Sequence, residues 1–113
     1  MKTKLGILAI MVILPFYLFA DPAKKVTLSY NKESKKLHMD ILHPVANAQG
    51  HYIDIITILV DGKEVKEIKP TKQSSLKAEV LDVEIPEIKT GSKVEVKTHC
   101  NQFGNKSGKL TVK

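Results

Sequence analysis

The sequence predicts an all-β protein, an immunoglobulin-like antiparallel β-sandwich of about seven strands. Three observations carry this reading. After residue 20 the apolar residues recur almost everywhere with a period of two, turn-forming residues separate the runs at short intervals, and no segment offers an apolar stripe at helical spacing.

Taken in order, Val26, Leu28 and Tyr30 alternate with Thr27 and Ser29, and Leu37, Met39 and Ile41 alternate with His38 and Asp40, so each run is a strand with one buried face. From Tyr52 to Val60 the run is almost continuously apolar, which predicts a central strand covered on both faces. Asp61-Gly62 is a strong hairpin signal, and Lys63 to Lys69 returns with Val65 and Ile68. Further strands are expected at Leu76 to Ile85, Val94 to Cys100 and Lys109 to Val112. Their separators are Pro70 to Ser75, Pro86 to Ser92 and Gly104 to Gly108.

The first 20 residues read differently. Lys2 and Lys4 precede an uncharged apolar stretch from Leu5 to Ala20, the pattern of a secretory signal peptide ending at Ala20. The alternative is an uncleaved anchor, although about 20 apolar residues normally span a bilayer and this run is shorter. Residues 21–113 are then one exported domain, secreted or periplasmic in a bacterium, with no stable membrane insertion once the leader is removed.

Composition narrows the function classes. The chain carries a formal charge of +6, all its basic residues are lysines, and they are interspersed with acids. Beyond residue 20 the aromatic residues are Tyr30, Tyr52 and Phe103. Nucleic-acid recognition wants a clustered basic face and stacking rings, so it is not expected. The single cysteine, Cys100, rules out an internal disulfide and leaves the fold to its apolar core. That thiol can be a metal ligand, an intermolecular bridge or a small buried hydrophobe.

The residues with chemistry are few. His43 and His51 edge one interstrand loop, and Cys100 lies where the sixth strand runs out into Asn101-Gln102-Phe103-Gly104. Loops leaving one end of a sandwich converge although they are distant in sequence, so His43, His51 and Cys100 are the candidate metal ligands. His38 and His99 alternate away from the core side and are expected to be solvated. The sequence shows neither a base nor an orienting carboxylate for Cys100, so a thiol hydrolase is not indicated.

The series His43-Pro44, a short loop, His51-Tyr52-Ile53, a long apolar strand and Cys100-Asn101 with Gly104 resembles the iron-binding domain of desulfoferrodoxin and neelaredoxin, the superoxide reductases. The resemblance runs from about His38 to the C-terminus. It implies an immunoglobulin-like sandwich holding non-haem iron (Fe2+/Fe3+), with His43 and His51 as equatorial ligands, Cys100 as the axial thiolate, and superoxide or a redox partner as the reactant. The chain departs from the family pattern at named places. Phe103 stands where the family has its last histidine, no histidine occurs between Asp21 and Leu37 to match its first, and the His43 to His51 loop is longer than usual. The alternative reading is a non-enzymatic immunoglobulin-like binding or carrier module of the periplasm that has lost the metal.

Overall fold

A computed structural model describes residues 21–113; the expected signal peptide, residues 1–20, lies outside the described residues. The seven strands are β1 (Lys25–Asn31), β2 (Lys36–Leu42), β3 (Ile53–Val60), β4 (Lys63–Ile68), β5 (Ala78–Glu84), β6 (Lys93–Cys100) and β7 (Asn105–Thr111). They form two antiparallel sheets in the orders β1-β2-β5 and β4-β3-β6-β7. No helix occurs among the described residues, so the all-β sandwich read from the sequence is the observed class. Because β4 pairs with β3, it occupies the place that the C′ strand takes in immunoglobulin variable domains.

Side-chain alternation builds the core. Leu37, Met39 and Ile41 of β2 face Ile53, Ile56, Ile58 and Val60 of β3 and Val94 and Val96 of β6, all buried. Burial of such side chains supplies about 1.5–3 kcal/mol each, and this must hold the domain without a disulfide. The Asp61-Gly62 hairpin has positive φ at both residues (51° and 83°), as the twist of a two-residue β-turn requires.

Three strand readings are corrected. The separator Gly104 to Gly108 is mostly strand: β7 begins at Asn105, and Gly108 lies within it. A Cβ on Gly108 would lie 2.5 Å from the Val26 carbonyl oxygen, so this glycine permits close approach of β1 and β7 rather than a turn. The fifth strand starts at Ala78, not Leu76, because the Ser75 hydroxyl accepts from the amides of Lys77 and Ala78 and makes a local turn. Leu76 is left exposed. Finally, β3 is central but not covered on both faces, since Ile55, Thr57 and Leu59 on its outer side are only half-buried.

Strand register decides what gathers at each end. Lys25 pairs with Leu42 and Leu42 with Ala78 in one sheet, while Ile53 pairs with Cys100 and His99 with Asn105 in the other. One end of the sandwich therefore collects the starts of β1, β3, β5 and β7 and the ends of β2 and β6. The His43 to His51 loop crosses between the sheets there.

Candidate metal centre

His43 and Cys100 are placed by alternation. The inward row Leu37, Met39, Ile41 of β2 continues one step past the strand to His43, and the inward row Val94, Val96, Thr98 of β6 ends on Cys100. Both side chains are 1% exposed. They are thus the last core-facing residues of two strands in opposite sheets.

His51 is placed by a turn. The Asn47 side-chain oxygen accepts from the amides of Gln49 and Gly50, and the Asn47 carbonyl accepts from the His51 amide at 2.9 Å. Asn101, just past Cys100, then ties the two segments together. Its amide donates to the Tyr52 carbonyl at 3.0 Å, its side-chain oxygen accepts from the Tyr52 amide at 2.9 Å, and its side-chain amide donates to Gly50. The loop histidine and the strand-end cysteine are thereby pinned to each other.

The result is a cluster in which the ligand atoms of His43, His51 and Cys100 all lie within 4.8 Å of one another. His51 Nε2 is 3.2 Å from Cys100 Sγ, and the two imidazole rings meet edge to face with centroids 4.8 Å apart. A nitrogen at about 2.1 Å and a sulfur at about 2.3 Å from one ion are roughly 3.1 Å apart at a right angle and about 3.6 Å at the tetrahedral angle. The His51–Cys100 separation fits two donors on a common ion, whereas a donor pair at the 4.8 Å limit of the cluster would have to close to about 4.4 Å or less for all three to share one ion. Thiolate and imidazole are also the donor types that transition metals favour, so the cluster can hold a metal ion.

Burial and the neighbouring His43 push His51 below the ordinary histidine value, opposed by the Asp21 backbone and carboxylate. The shift favours the neutral imidazole, which is the ligating form. His51 also supplies the base that the sequence did not show for Cys100. A buried thiol is out of reach of a substrate, however, and the geometry suits coordination better than nucleophilic attack.

Sequence reasoning missed two participants. Gln73, 3% exposed, donates through Nε2 to the carbonyls of His43 (2.7 Å) and Ser75 (2.9 Å), which fixes its amide orientation. Its Oε1, 2.6 Å from His43 Nδ1, then accepts a hydrogen bond from that nitrogen, and in the neutral ring Nε2 is left to act as ligand. The Gln73 loop is anchored by Glu79, whose carboxylate accepts from the Ser74 amide at 3.0 Å and from the Ser74 hydroxyl, and whose burial raises its pKa. The second participant is the carbonyl of Asp21, 3.0 Å from His43 Nε2. Gln73 sits in a polar loop with no pattern to mark it, and a backbone carbonyl has no sequence signal at all.

The other singled-out residues fall where alternation puts them. His38 lies on the outer face of its sheet with Nδ1 2.8 Å from Asp82, and His99 lies on the outer face of the other with Nδ1 2.6 Å from Asp54. Neither belongs to the cluster. Phe103 is 63% exposed, and Gly104 (φ 90°) closes the turn by accepting from the Cys100 amide. The chain matches no family model, no curated protein and no solved structure.

Proposed function

We propose that this chain is an exported, desulfoferrodoxin-like metal protein that binds one iron ion through His43, His51 and Cys100 and exchanges electrons with superoxide or a redox partner. The observation that supports it is the convergence of those three donors from two sheets, with His51 Nε2 3.2 Å from Cys100 Sγ. When bound, iron supplies the one-electron step by which superoxide, with an electron from a donor protein and two protons from water, becomes hydrogen peroxide. Cys100 contributes a strongly donating thiolate, Gln73 holds His43 in the ligating tautomer, and half-buried His51 leaves the site approachable from one side.

A second reading has its own supporting observation. Phe103 points to solvent and cannot coordinate, which favours a sandwich binding or carrier module without metal. Anaerobic reconstitution separates the two. The iron protein binds close to one equivalent, and on oxidation shows a thiolate-to-iron charge-transfer band that Cys100→Ser removes. A chain that takes up no iron, copper or zinc, with its stability unchanged by each, is the metal-free module.

A further inference from the structure

We propose that the backbone carbonyl oxygen of Asp21 is a fourth donor of the metal site, so that the chain offers two imidazoles, one thiolate and one peptide oxygen to a single ion. The proposal rests on the metal-binding reading above and adds a ligand that neither motif nor alternation identifies.

Gln73 is oriented by two carbonyl acceptors, so its Oε1 accepts from His43 Nδ1, and in the neutral ring the other nitrogen presents a lone pair. That nitrogen faces the Asp21 carbonyl oxygen at 3.0 Å. Two lone pairs aimed at one place are reconciled by a cation between them. Donors each about 2.1 Å from an ion are about 3.0 Å apart at a right angle, which is the separation seen.

The Asp21 carbonyl is held in place by the structure that carries the cysteine. Pro22 fixes its own φ and packs on Gly104, where an added Cβ would lie 2.8 Å from the Pro22 ring. The Gly104 carbonyl accepts from the Cys100 amide. Ala23 is buried in the core, and the Lys24 amide donates to Leu42 at 2.7 Å, one residue before His43. The segment that delivers the oxygen is thus seated on the thiolate's turn and tied to the histidine's strand. Four such donors close the shell of a tetrahedral ion and leave further positions open on a six-coordinate one.

The sequence provides a clean probe. Of the aspartates, only Asp21 precedes a proline, so in the full chain carrying carbonyl carbon-13 aspartate and nitrogen-15 proline a single carbonyl resonance is split by nitrogen. Titration with zinc should shift that resonance in step with one bound equivalent, and Pro22→Gly should weaken zinc binding by about tenfold. Zinc bound through Cys100 with the resonance unmoved overturns the fourth donor and leaves the three-residue site standing. A wild-type chain that binds no zinc, or binds it equally as Cys100→Ser, overturns both.

Discussion

Gln73 is the residue on which the site's chemistry turns, because its buried Oε1 accepts from His43 Nδ1 and so favours Nε2 as the ligating nitrogen. Replacing it with leucine leaves the His43 Nδ1 proton and the carbonyls of His43 and Ser75 without their buried partner. We expect Gln73→Leu to cost about 1–3 kcal/mol of stability in urea unfolding and to weaken metal binding by about 10–100-fold in a chelator competition. Equal affinity for the two proteins would show that the tautomer of His43 is set otherwise. His51 yields a pH prediction of definite sign. Its folded pKa is lowered, so the metal-free native state binds fewer protons than the unfolded chain between that value and the ordinary histidine value of about 6.5. Stability contributed by neutral His51 is therefore complete above that range and is lost as pH falls through it, levelling off below the folded pKa. In urea titrations of the metal-free protein, His51→Gln should flatten that part of the stability profile. An unchanged slope would mean that other groups produce it.

At the scale of elements, the ligand positions were more legible than the connections that hold them. The period of two places Leu37, Met39 and Ile41 inward, and one further step reaches His43; the same count along Val94, Val96 and Thr98 reaches Cys100. Neither step needs tertiary information. The errors arise where a residue type has two physical uses. Glycine marks turns, but at Gly108 it serves close packing of β7 on Val26, and serine near Leu76 draws the chain into a local turn before β5 can begin. The continuous apolar run of β3 misled for a related reason. A bulge between Ile53 and Ile55 shifts the register, so that Ile53 and Ile56 both face inward while Ile55 turns outward. The reading of Gly108 is tested by Gly108→Ala. Its methyl would meet the Val26 carbonyl oxygen at 2.5 Å, and forcing β1 and β7 apart should cost about 1–3 kcal/mol. Ser107→Ala, on the exposed side of the same strand, should leave the unfolding midpoint unchanged.

For the molecule as a whole, the position of the cluster matters as much as its composition. His43 leaves β2 of the three-stranded sheet, while Cys100 ends β6 and His51 precedes β3 of the four-stranded sheet. An ion held by all three joins the two sheets at one end, in a domain that has no disulfide to do so. Unfolding must separate these donors, because their sequence separations leave no compact local segment that contains them. Metal binding and global stability are therefore linked: free metal at about 100 times its dissociation constant should add about 2.7 kcal/mol. Cys100→Ser should remove most of that gain. The variant must be compared with wild type in the metal-free state as well, since Cys100 also fills core volume and the serine hydroxyl would be buried there. What identifies a clip between sheets is the difference in metal-induced stabilisation between the two proteins, read from urea unfolding at fixed free metal. If metal stabilises Cys100→Ser as much as wild type, the ion is bound elsewhere and the sheets are held by their apolar core alone.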